Sequence, residues 1–200
     1  MYLEEGEFYH IYNRGNNKQP IFFNDDNYVF FIKKIREQLL PVVDIVAYCL
    51  MPNHFHILIR ANEQSIKERN SFGGKPMQEF AYKIGMLLSS YTQAVNKANK
   101  TSGSLFQQKT KAKLLAEEIN NHKVSYLEHC FFYIHQNPLA ADLVKNLNDW
   151  KYSSHLDYCD KRNGTLCNKE LFFSFTGLTV SDIVHYSETA IDPEIIFKLE

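Results

Sequence analysis

A chain of 200 residues has the length of one ordinary domain with a small addition, and its 44% hydrophobic and 22% charged residues exclude a disordered tail, a collagen-like rod and a coiled coil. Lys and Arg number 22 against 23 Asp and Glu, a net charge of -1, so bulk charge supplies no pull toward nucleic acid or anionic membrane. Four cysteines without finger spacing, an acidic start containing Glu4, Glu5 and Glu7, and no apolar run near the ~20 residues of a membrane span predict a cytoplasmic protein with reduced thiols.

In chain order, Phe8 to Asn13 is an aromatic-rich strand that ends in the turn Arg14-Gly15-Asn16-Asn17. Asn24 is placed to cap a helix, with Asp25 and Asp26 in the first turn where the dipole favours anions. Tyr28, Phe31, Ile32, Ile35 and Leu39 recur at helical spacing and carry that helix to about Leu40, before Pro41. Val42 to Leu50 and His54 to Arg60 are β-prone runs around the tight turn Met51-Pro52-Asn53, which predicts a hairpin. Asn62 to Pro76 is polar, contains Gly73-Gly74, and is expected to be a loop.

Met77 to Asn99 predicts a long amphipathic helix, with Phe80, Ile84, Leu87, Leu88, Tyr91 and Val95 on one stripe. After a turn at Thr101 to Ser104, Leu105 to Leu115 is expected as a strand with Lys109, Lys111 and Lys113 on one side. Ser125 and Glu128 form a capping box for a helix from Tyr126 to about Asn137, stopped or kinked by Pro138. The order β-α-β-β-α-β-α predicts an α+β fold, an antiparallel sheet with helices packed on one face. Past Trp150, short helical patterns at Asn168 to Phe175, Thr179 to Ser187 and Asp192 to Leu199 describe a helical C-terminal appendage over 159–200, too small to stand without the body at 1–158.

Chemistry concentrates in Tyr48-Cys49-Leu50-Met51-Pro52-Asn53-His54-Phe55-His56. On a strand the side-chain period is two, so His54 and His56 share a face while Phe55 points into the core. Two imidazoles at that spacing can grip one metal ion, and the same pattern also describes two half-exposed sheet histidines; a third ligand distinguishes the readings. Tyr133 and Asn137, at i and i+4 on one helical face, bring a phenol and a carboxamide that can serve as nucleophile and oxygen ligand, or else as a packing tyrosine and a helix end.

Several stretches together resemble the REP-associated tyrosine transposases, within the single-tyrosine HUH transposases. They are Tyr9-His10-Ile11-Tyr12-Asn13-Arg14-Gly15, the His54-Phe55-His56 segment, Gly103-Ser104-Leu105-Phe106-Gln107, Tyr133-Ile134-His135-Gln136-Asn137-Pro138 and Asp149-Trp150-Lys151-Tyr152-Ser153-Ser154, covering about residues 8 to 158. The resemblance implies a ferredoxin-like HUH nuclease fold and an enzyme that nicks and transfers single-stranded DNA carrying hairpin-forming repeats. It implies a divalent metal ion, Mg²⁺ or Mn²⁺, on His54, His56 and Asn137, and Tyr133 as nucleophile forming a 5′-phosphotyrosine. Arg14, Lys109, Lys111 and Lys113 are the candidate phosphate contacts. The family setting admits a homodimer, with Tyr133 serving its own subunit or its partner's. Gln108-Lys109-Thr110 and Leu139-Ala140-Ala141 depart from the family pattern, and the stretch Ala116 to Val124 is longer than usual. Two other readings stand beside this one: a hairpin-binding module without cleavage, and a small hydrolase that activates water on His54 and His56.

Overall fold

The computed structural model describes residues 1–70, 73–115 and 126–199. The first part of the chain runs β1 (Phe8–Arg14), α1 (Asp25–Gln38), β2 (Val43–Met51), β3 (His54–Ala61), α2 (Glu63–Ile66), β4 (Glu68–Asn70) and β5 (Pro76–Gln78). It continues with α3 (Glu79–Asn99), β6 (Lys111–Leu114), α4 (Tyr126–Ala140), α5 (His155–Tyr158), α6 (Lys169–Thr176), α7 (Val180–Tyr186) and α8 (Pro193–Leu199). Strands β2, β3, β1 and β6 form an antiparallel sheet in that spatial order, and β4 and β5 make a separate two-stranded ribbon.

Strand alternation sorts the sheet into two faces. Ile11, Phe55, Ile57 and Ile59 are buried with Phe31 and Ile35 of α1 and with Phe80, Leu87 and Tyr91 of α3. On the reverse, Ala47, Cys49, Met51 and Leu58 are buried with Cys130, Phe131 and Ile134 of α4 and with residues of α6 to α8. Helices therefore cover both faces of the sheet, where the sequence order suggested one. The physical reason lies in β2: burial on both sides makes Val42 to Leu50 a run that is apolar apart from Asp44, in place of an alternating one.

The helical expectations hold closely. Asn24 Oδ1 accepts the Asn27 N–H at 3.0 Å and opens α1, whose Tyr28, Phe31 and Ile35 are buried. The stripe Phe80, Ile84, Leu87, Tyr91 and Val95 is the buried side of α3. Three expectations differ. Asn62 to Pro76 holds α2, capped by Asn62, and the strands of the β4–β5 ribbon. Only Lys111–Leu114 of the expected Leu105 to Leu115 strand pairs as a ladder with β1. Upstream, a single bridge between Gly15 and Phe106 and the side chain of Asn13 take over from the ladder: Asn13 Nδ2 donates to the Gln107 carbonyl at 3.1 Å and to Thr110 Oγ1 at 3.0 Å. Helix α4 also runs through Pro138 to Ala140; the proline removes one donor in the last turn, while burial on several sides holds the helix. The expected capping Ser125 and the stretch Ala116 to Val124 lie outside the described residues.

The C-terminal helices fall where expected, with caps at Asn168 and Thr179 and the Glu194 N–H donating to Asp192 Oδ1 at 2.8 Å. They complete the core around α4. The Phe131 ring stacks on Phe172 at 4.1 Å and meets Tyr158 edge-on at 4.7 Å. Phe131→Ala is expected to cost about 3–5 kcal/mol, because Phe131 is fully buried and its neighbours come from three helices. Urea denaturation measures it, and a loss below about 1 kcal/mol contradicts the shared core. No described helix is long and apolar enough to cross a membrane, and all four cysteines are unpaired.

Candidate active site

The register of the sheet assembles the site. Strand β1 pairs with β3 so that Arg14 lies opposite His54 and Tyr12 opposite His56, and it pairs with β6 so that Lys111 lies opposite Tyr12 and Lys113 opposite His10. Directly paired residues share a face, so His10, Tyr12, Arg14, His54, His56, Lys111 and Lys113 all lie on the α4 side of the sheet. That face is apolar at its Leu58 end and polar at its His54 end.

Tight local bonds fix the polar end. The Gly15 N–H donates to the Asn53 carbonyl at 2.8 Å, and Asn53 Nδ2 donates to the Lys18 carbonyl at 3.2 Å, clamping the turn before His54 against the turn after β1. Gly15 is required there: a Cβ would stand 2.1 Å from the Gln19 carbonyl oxygen. Helix α4 is tied down from its far side, where Ser154 Oγ lies 2.7 Å from His135 Nε2 and accepts the Tyr48 N–H at 2.9 Å. The Asp149 to Ser154 segment thus anchors the helix to β2 and contributes nothing to the pocket.

One cavity of about 330 Å³ results, lined by His54, His56, Tyr133, Asn137, Arg14, Lys109 and Lys111, with Tyr12, Asn13, Phe55 and Gln107. Every site residue expected from the sequence lines it except Lys113, which sits half-buried one register step farther from the opening. The Tyr133 ring stands edge-on to His56 at 5.6 Å and to His10 at 6.0 Å. Asn137 Nδ2 donates to the Tyr133 carbonyl at 2.8 Å, which turns its oxygen away from the helix backbone and beside His54.

His10 is the residue that the sequence reading passed over. Its Nε2 lies 2.8 Å from His56 Nδ1, and both rings are buried. Period two in β1, which puts His10 and Tyr12 in step with Arg14, is the signal that could have found it. His54 Nδ1 is likewise engaged, 2.6 Å from Asn53 Oδ1. Among the described residues His56 Nε2 has no hydrogen-bond partner, and no three His, Cys, Asp or Glu side chains converge on one point.

Burial holds these imidazoles neutral. It pushes His54 down to about 4, helped by the Arg14 charge and opposed by Asn137, and His10 down to about 3; His56 is pushed well below the ordinary histidine value by burial and by its neighbours His10, His54 and Arg14. On the far side of α4, burial pushes His135 well below that value and His155 down to about 4. The unfolded chain takes up protons on all five below about pH 6.5, whereas the fold does not. Stability is therefore full above that pH and is lost as pH falls toward the folded-state values. Thermal melts from pH 7.5 to 4.5 should show a falling midpoint below about pH 6.5, and a flat profile contradicts the burial of neutral rings.

No family model matches the sequence, and no curated protein matches it. Among solved structures, a REP-associated tyrosine transposase bound to a REP hairpin superposes with a TM-score of 0.54 at 18% identity, over 77% of this chain and 79% of that one. The likeness is one of fold: an antiparallel sheet of four strands packed with helices.

Proposed function

We propose that this protein nicks and rejoins single-stranded DNA beside a hairpin, through a covalent 5′-phosphotyrosine on Tyr133 and with a divalent ion, Mg²⁺ or Mn²⁺, held by His54, His56 and Asn137. One observation carries the reading. A phenol, two neutral imidazoles, a carboxamide oxygen and three cationic side chains, drawn from β1, β3, α4, β6 and the segment leading into β6, line a single cavity. The resemblance of the sequence motifs and the transposase-like fold of the structural neighbour point the same way.

The residues fit a metal ion. Among the described residues His56 Nε2 is buried without a partner, both histidines are neutral at neutral pH, and Asn137 donates one amide hydrogen to the Tyr133 carbonyl and holds its oxygen beside His54. A bound divalent ion supplies Lewis-acid polarisation of the scissile phosphate and neutralises its developing charge. His10 positions His56. With the proton of His56 on Nδ1 and donated to His10 Nε2, His56 Nε2, which has no partner among the described residues, is a lone pair.

Arg14, Lys109 and Lys111 hold the DNA phosphates at the mouth of the cavity. The Tyr133 oxygen forms a bond to phosphorus as the bond from phosphorus to the 3′-oxygen breaks. The phenolic proton passes to solvent, and the released 3′-oxygen takes one up as a hydroxyl. Bond energy kept in the phosphotyrosine permits rejoining to another 3′-hydroxyl by the reverse step. Tyr133 and the histidines of one chain share the cavity, so the reading requires no second subunit. The test is incubation with single-stranded oligonucleotides carrying a hairpin, plus Mn²⁺, followed by denaturing electrophoresis. A protein–DNA adduct that survives denaturation is the predicted product, and hydrolysis without an adduct overturns the proposal.

A further inference from the structure

A second, larger groove of about 1040 Å³ lies between α3 and the Gly103–Ala112 segment. Asn13, Gln107, Lys109 and Lys111 line both spaces, so the groove and the candidate site share a wall at the β6 edge of the sheet. Its walls are built before any ligand arrives. Asn13 holds the segment at Gln107 and Thr110, and at the other end Asn96 Nδ2 donates to the Gly103 carbonyl at 2.9 Å.

Two features point to an occupant. The first is charge: in a chain with 23 acidic residues, no Asp or Glu is among the described residues lining the groove, whereas Lys109 and Lys111 are. The second is Gly85. It is the seventh residue of a 21-residue helix, an interior position where glycine costs about 1 kcal/mol relative to alanine. A Cβ there meets nothing within 4 Å, so no packing requirement explains the glycine, and its bare backbone lines the groove. The Tyr2 ring, 66% exposed, also lines it and offers a face on which a base can stack.

We infer that this groove is the track of the unpaired DNA strand that runs into the candidate site, with Gly85 as its floor, Lys109 and Lys111 on the phosphates, and Tyr2 under a base. The inference rests on the reading of the site as one that acts on DNA, and it adds where the strand lies and how many nucleotides the protein senses beyond the scissile phosphate.

The experiment measures the affinity of unstructured single-stranded oligonucleotides of about 4 to 14 nucleotides by fluorescence anisotropy, for wild type, Gly85→Leu and Tyr2→Ala. Leucine is a better helix former than glycine, so Gly85→Leu keeps or raises the melting temperature while its side chain fills the groove. Wild-type affinity is expected to rise with length. Gly85→Leu is expected to lose at least about tenfold for the longer strands, and Tyr2→Ala about fivefold to tenfold, in line with one stacked base. Wild-type affinity independent of length, or length dependence unchanged in both variants, overturns the inference. Equal losses for a blunt duplex overturn it too, since the occupant is then paired DNA. Failure of the catalytic reading is distinguishable: a protein that forms no adduct yet loses strand affinity in Gly85→Leu keeps the track, and one that forms the adduct while both variants bind normally does not.

Discussion

Tyr133→Phe is expected to abolish the DNA adduct, by at least about a thousandfold, while strand affinity stays within about twofold of wild type. The two properties separate because the substitution removes one oxygen and keeps the ring. The ring's edge packs against His56 at 5.6 Å and His10 at 6.0 Å, contacts that phenylalanine preserves. Circular dichroism and a melting curve close to wild type confirm that the loss is chemical. The same variant separates the readings the sequence left open. A hydrolase that uses His54 and His56 to activate water keeps its turnover in Tyr133→Phe, whereas a hairpin-binding module without cleavage shows no adduct even in wild type.

His56→Ala is expected to have the second-largest effect, and on two observables at once. Mn²⁺ affinity, read by calorimetry or by the Mn²⁺ electron paramagnetic resonance signal, should fall at least about a hundredfold, and adduct formation should fall with it. Stability should fall as well, by about 1–3 kcal/mol, because His10 Nε2 loses its 2.8 Å partner in a buried setting. His54→Ala separates the two effects, since His54 is half-buried and its Nδ1 partner Asn53 is already held by Lys18: metal affinity goes and most of the stability stays. His10→Phe should weaken Mn²⁺ binding by about 10–100-fold, since His56 then loses the acceptor that fixes its tautomer. Unchanged Mn²⁺ affinity in His56→Ala contradicts the metal assignment.

Much of this site was legible in the sequence because its parts sit on regular elements. Strand parity alone put His54 and His56 on one face, and helical spacing alone stacked Tyr133 on Asn137. What parity could not supply was the partner strand. The pairing of Tyr12 with His56 and of His10 with Lys113 depends on a contact between segments more than forty residues apart, and it is this register that carries His10 into the site. The basic row was half legible. Lys111 lines the cavity as strand alternation suggests, but Lys109 reaches it from an irregular segment held by Asn13, and Lys113 falls one step short.

The fold shows the same division. Caps, stripes and turns gave nearly all the helices, since each is encoded within a few residues. The placement of α4 against the sheet was less visible, because a helix buried on several sides has no polar stripe to betray its orientation, and its proline argued for an earlier end. The near-neutral net charge also takes on a different meaning. Among the described residues, none that is acidic lines the cavity or the groove beside it, so a charge of -1 overall coexists with a local cationic strip at Arg14, Lys109 and Lys111. On the proposed function, recognition rests on the shape of the strand and hairpin more than on bulk attraction, and salt should weaken binding with a shallow slope set by those few phosphate contacts.

The central claim is that the Tyr133 oxygen becomes bonded to DNA. The most direct measurement is mass spectrometry of the protein after reaction with a hairpin-bearing strand and Mn²⁺, followed by nuclease trimming and protease digestion. The account predicts a nucleotide-derived mass increment on the peptide carrying Tyr133, with the fragment series placing it on that residue. An increment on any other tyrosine, or cleavage of the strand with no modified peptide, contradicts it.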